Sequence, residues 1–117
     1  MRLWAVLVLL ATVNTSSRTA DVVRLECVSP DTVEIELHSA QLFPVRDAII
    51  ELHVGSVTSG LSRYGGDGDL HTIIFMLAPD QLAQITNTDV AYVGFNPGGP
   101  DDTWLVGTID TTAATGC

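Results

Sequence analysis

Apolar and polar residues alternate along most of the chain after residue 20. In residues 22–28 (VVRLECV), Val23, Leu25 and Cys27 fall on one face, with Arg24 and Glu26 on the other. Residues 32–38 (TVEIELH) put Val33, Ile35 and Leu37 inward and Glu34, Glu36 and His38 outward. Residues 47–54 (DAIIELHV) repeat the scheme with Ala48, Ile50, Leu52 and Val54 inward. A period of two describes a strand with one face on a core and excludes an amphipathic helix for these segments.

The second half is more apolar. Residues 70–77 (LHTIIFML) form a continuous hydrophobic run, which predicts a central strand covered on both faces. Residues 79–85 (PDQLAQI) predict the single helical turn, with Pro79 in a first-turn position and Leu82 and Ile85 spaced to face the core. Residues 89–95 and 103–109 complete the strands. The turn at Ser29-Pro30-Asp31 and the Gly-rich stretches 64–69 and 96–102 separate them. About seven short strands in such a length predict an all-β fold, an immunoglobulin-like antiparallel sandwich, with a small β-barrel as the alternative. The immunoglobulin Cys–Trp–Cys signature is missing, because the cysteines sit near the ends of the domain and Trp104 lies in the last strand.

The first twenty residues change this picture. Arg2 precedes an apolar run, residues 3–11 (LWAVLVLLA), and a polar stretch with small residues follows it. That pattern predicts a signal peptide over 1–20, cut after Ser17 or Ala20, and a single domain over 21–117. Nine apolar residues reach only ~14 Å as a helix, too short to cross a bilayer. The expected product is secreted, extracellular or periplasmic, with no membrane insertion once the leader is gone.

Charge narrows the partners. The 117-residue chain carries a formal charge of −9 and contains no lysine. Loss of residues 1–20 removes Arg2 and Arg18 and leaves three arginines against 14 acidic residues, a formal charge of −11. Such a surface repels nucleic acid and anionic lipid. It suits a cationic partner, a divalent metal or a salty medium. Cys27 and Cys117 are the only cysteines, and in an oxidising compartment they predict a disulfide closing a 91-residue loop.

Three groups of residues are candidates for chemistry. The sequence Ile-Glu-Leu-His occurs twice, at 35–38 and 50–53. A hairpin centred on Pro44-Val45 would oppose Glu36 to His53 and His38 to Glu51. Those four form either solvated cross-strand pairs or a two-His, two-Glu patch for zinc or copper. Asp67, Asp69, Asp101 and Asp102 in the Gly-rich loops are candidate calcium ligands, although their spacing matches no EF-hand. Tyr64 and Trp104 are candidate binding-loop aromatics, with a core position for Trp104 as the alternative.

No nucleophile elbow occurs, and no pair of carboxylates stands out among 14. The sequence therefore predicts a non-enzymatic binding or structural surface module without a cofactor, whose partner is a protein or a second copy of itself. The alternatives are an extracellular metal-binding protein, through zinc, copper or calcium, and a small secreted hydrolase.

Overall fold

A computed structural model describes residues 18–65, 67–96 and 103–114. Most of the expected leader, together with Asp101, Asp102 and Cys117, lies outside the described residues. The chain forms β1 (Asp21–Ser29), β2 (Thr32–His38), β3 (Ile49–Val54), β4 (Val57–Tyr64) and β5 (Thr72–Leu77). The short helix α1 (Pro79–Leu82), β6 (Val90–Asn96), β7 (Thr103–Thr108) and a 3₁₀ turn (Thr111–Ala114) follow. All strand pairs are antiparallel, in the order β1-β2-β5-β4-β3-β6-β7.

This single sheet curls until its two halves face each other. Strand β4 makes the corner: residues 57–60 pair with β3, and residues 61–64 pair with β5. Where the ladder is interrupted, the Ser59 hydroxyl donates to the Met76 carbonyl at 2.8 Å. That bond satisfies a polar group the corner would otherwise leave unpaired. The other ends meet through the lead-in to β1. Ala20 N–H donates to the Leu105 carbonyl, and Leu105 N–H donates to the Arg18 carbonyl. The order β1-β2-β5-β4 against β3-β6-β7 is that of the seven-stranded immunoglobulin sandwich. The expected all-β, sandwich-like fold is the one observed.

Between the halves lies one core. Val33, Ile35 and Leu37 of β2 and Ile73, Phe75 and Leu77 of β5 pack against Ile50, Leu52 and Val54 of β3. Ala91, Val93 and Phe95 of β6 and Trp104 of β7 complete it. The expected inward sets of β2 and β3 are thus correct. Helix α1 is also where expected: Pro79 opens it, the Gln81 carboxamide accepts from Ala78 N–H, and Leu82 and Ile85 rest on the core.

Four expectations need correcting. Val23 points outward and is 54 % exposed. It is the extra residue of a β-bulge between the pairs Val22–Leu37 and Arg24–Glu36, so Val22 takes the inward place. A second bulge leaves Val28 unpaired between Cys27–Val33 and Ser29–Thr32, with its side chain exposed. Bulges of this kind twist an edge strand such as β1 away from intermolecular pairing.

The second correction concerns β4, which the sequence did not single out. It reads VTSGLSRY, and between the inward Val57 and Leu61 the inward position is Ser59, followed by Gly60, so the alternation is weak. The third concerns β5. Strand β5 is internal and buried over most of its length, but Met76 is exposed on its outer face.

The fourth correction removes the hairpin across Pro44-Val45. Strand β2 pairs with β1 and β5, and β3 pairs with β4 and β6. The connecting residues instead cross from one half of the sandwich to the other. Phe43 anchors the crossing: it is buried between Phe95 and Trp104, with ring centroids 5.9 and 4.8 Å away. Its N–H donates to the Leu70 carbonyl at 2.9 Å. Burying that ring stabilises the crossing by roughly 2–3 kcal/mol, a gain that a tight hairpin through Pro44 would forgo.

Candidate functional site

The outer faces of the two halves differ in kind. On β3, alternation sends Ile50, Leu52 and Val54 into the core and leaves Ile49, Glu51 and His53 outside. On β6 the same rule leaves Val90, Tyr92, Gly94 and Asn96 outside, and on β7 it leaves Thr103 and Leu105. The registers align these into rows. His53, Tyr92 and Leu105 form one, and Glu51, Gly94 and Thr103 form the next.

Four large apolar side chains of this face stand in solvent: Ile49 is 68 % exposed, Val90 53 %, Leu105 50 % and Tyr92 41 %. The Tyr92 ring stacks on the imidazole of His53, with centroids 4.9 Å apart and planes 13° from parallel. His53 is held from two further sides. Its Nδ1 is 3.2 Å from the Thr58 hydroxyl, and its Nε2 is 3.4 Å from Glu51 Oε1. Gly94 leaves a notch beside Tyr92, since a Cβ built there would meet no atom within 4 Å. A rigid aromatic beside an open notch and three exposed aliphatics has the composition of a protein-docking surface.

The outer face of β1-β2-β5-β4 carries a network of two arginines and three glutamates. Glu34 is only 5 % exposed although it lies on the outward side of β2. Arg24 Nη2 donates to Glu34 Oε1, and the Arg63 guanidinium donates to both Glu34 oxygens at 3.2 and 3.3 Å. Arg24 Nε donates to Glu36 Oε1 at 3.0 Å, and its Nη1 is 3.6 Å from Glu26. The hydrogen bond from Arg24, reinforced by Arg63, holds the Glu34 carboxyl below its usual range against the opposing effect of burial. The same bond raises the Arg24 guanidinium further. Two scarce cations are thus committed to internal carboxylates, and this face offers little unpaired positive charge to a ligand.

The residues expected to bind metal do not come together. Glu36 and His38 lie on β2, where they pair with Arg24 and Ile74, and with Asp21 and Thr72. Glu51 and His53 lie on β3, three strands away in the sheet order, with β5 and β4 between. His38 stacks instead against His71, with centroids 6.1 Å apart. Among the described residues, no three His, Cys, Asp or Glu side chains are grouped to hold a metal ion.

Asp69 carries out turn chemistry, accepting from His71 N–H at 2.9 Å. Asp67 is exposed, and Asp101 and Asp102 are outside the described residues. Tyr64 is exposed at the end of β4, whereas Trp104 is buried against Phe43 and Phe95, so the two rings form no common platform. Cys27 is half-buried on β1, its Sγ 3.1 Å from the Ser29 carbonyl oxygen. A cleft of about 330 Å³ lies between β1 and the end of β7, lined by Val22, Val23, Arg24, Leu25, Thr108 and Asp110.

Reasoning from sequence missed the exposed apolar residues on the outer face of β3-β6-β7 and the buried acid. A signal for the first was present: Val90, Tyr92 and Leu105 occupy the outward phase of strands whose inward phase is already apolar. Glu34 had none, because its burial depends on arginines 10 and 29 positions away. No protein-family model matches the chain, and neither does any curated protein or solved structure.

Proposed function

We propose that this protein is an exported, non-enzymatic binding module that engages a protein partner through the outer face of β3-β6-β7. The observation that carries the reading is the exposed pair Tyr92 and Leu105, adjacent across β6 and β7, with the Tyr92 ring held in place by its stack on His53. Exposed, rigidly held aromatic and aliphatic side chains side by side cost solubility and are kept where a partner covers them.

The hydrophobic run of residues 3–11 supports export. Of the two cleavage positions, the one after Ser17 leaves Arg18–Ala20 paired with Leu105 and the buried Ala20 in place, so it is the one we adopt. The mature chain then keeps Arg18, with four arginines against 14 acids and a formal charge of −10. A disulfide between Cys27 and Cys117 belongs to the same proposal. The 3₁₀ turn packs on β1 with Ala114 buried, which directs the chain towards the strand that carries Cys27.

The test is site-specific photo-crosslinking in cells that make the protein. A benzophenone amino acid replacing Leu105 should capture a protein, and the same group replacing Met76 on the opposite face should not. Capture from position 76 alone, or from neither position, rejects the reading.

A further inference from the structure

We infer that the partner on the β3-β6-β7 face is a second copy of this chain, docked about a two-fold axis that crosses β6 between Tyr92 and Gly94. The inference rests on the docking-face reading above and adds the occupant and its register. Two adjacent rows carry the argument: His53, Tyr92 and Leu105, then Glu51, Gly94 and Thr103. A two-fold axis lying in the interface between these rows, perpendicular to the strands, exchanges one row for the other across the interface.

Each member of the first row then meets a fitting member of the second. The exposed Tyr92 ring lies over the other copy's Gly94, where no atom stands within 4 Å of a would-be Cβ. His53 faces the other copy's Glu51, a donor opposite a carboxylate. Leu105 faces Thr103. Every contact occurs twice, as an isologous interface requires. Knob and hole sit two residues apart on the same strand, which is what makes the surface self-complementary.

Charge points to the same face. The chain carries −9, and like-charged copies repel each other wherever acids would meet. Within the two rows Glu51 is the single acidic residue, already 3.4 Å from His53. The nearest other described acids, Asp47 and Asp89, lie before the first residues of β3 and β6 and outside the two rows. Across the two-fold axis each Glu51 therefore meets a histidine and not a second carboxylate. Three strands at ~4.8 Å and six residues at ~3.4 Å give a flat footprint of roughly 300 Å² per copy. A standard interface buries about 800 Å² per partner, so the dimer is weak and concentration-dependent.

Sedimentation equilibrium of the mature chain, residues 18–117, from about 1 µM to about 1 mM, tests the inference. The expected result is a monomer–dimer equilibrium that Gly94→Val weakens roughly tenfold or more, while Met76→Glu leaves it unchanged. Because the position is open and lies within a strand, Gly94→Val should have a urea midpoint no lower than that of the parent, which separates lost docking from lost folding. Tyr92→Ala should also weaken the dimer, and the double variant should be no weaker than the worse single one, since both remove one contact. A monomer at every concentration, a dimer indifferent to Gly94→Val, or fully additive losses would overturn it. If the chain is monomeric while position 105 still captures a different protein, the docking face stands and the second copy is refuted. If position 105 captures nothing, both readings fail.

Discussion

Replacing Glu34 by Gln preserves the size of the side chain and removes the negative charge held between Arg24 and Arg63. Glu34 is 5 % exposed and accepts hydrogen bonds from both guanidinium groups. Breaking a fully buried ion pair costs about 3–5 kcal/mol, because one charge is left without a partner in a low-dielectric site. Here the loss is smaller. The Arg24 and Arg63 side chains are 31 and 49 % exposed and can recover water, and Arg24 keeps Glu36. We expect Glu34→Gln to lower stability by about 1–2 kcal/mol at neutral pH.

The pH dependence follows from the direction of the shift. The folded-state carboxyl titrates below its usual range, so its contribution is complete above the ordinary glutamate value and fades as pH falls through the depressed one. The stability difference between parent and Glu34→Gln should be constant from about pH 7 down to about pH 5. It should narrow towards about pH 3. Urea unfolding followed by tryptophan fluorescence measures this, with equal m-values confirming that the same surface unfolds. A difference that stays constant at the lowest pH, or is absent at pH 7, would refute the role given to the two arginines.

Phe43→Ala should cost about 3–5 kcal/mol in urea unfolding, since it empties a site between two aromatic rings; a loss under about 1 kcal/mol would mean that the crossing is held by something else. Gly55→Ala should lower the melting temperature through a strain of about 1–2 kcal/mol, because Gly55 has φ 59° in the β3–β4 turn and a Cβ there would sit 2.8 Å from Asp89 Oδ2. Gly60→Ala is the control, with open space and no positive φ, and it should change little. Cys117→Ser should destabilise the oxidised protein by about 4–5 kcal/mol if the 91-residue loop is closed, and thiol titration under denaturing conditions should find no free thiol in the parent. Two titratable thiols would remove the disulfide from the proposal.

Several features were legible in the sequence because they depend on residues adjacent in the chain. Alternation in TVEIELH and DAIIELHV identified the inward residues of β2 and β3. Pro79 followed by Leu82 and Ile85 marked the helical turn. The apolar run of β5 announced an internal strand. These signals are local, since a strand's two faces and a helix's first turn are set by neighbours within a few residues.

Which strands meet was not local, and there the sequence misled. Two copies of Ile-Glu-Leu-His beside Pro44-Val45 resemble the arms of a hairpin. Whether such arms pair depends on whether the link between them turns back or crosses the core, and the burial of Phe43 against Phe95 and Trp104 decides for crossing. The bulges at Val23 and Val28, the corner in β4 and the burial of Glu34 are likewise consequences of distant partners. A residue's phase on its strand is a property of the sequence. The row it joins, and what it faces there, exists only once the sheet has closed. His53, Tyr92 and Leu105 lie up to 52 positions apart in the chain and become one surface through the pairing of β3, β6 and β7.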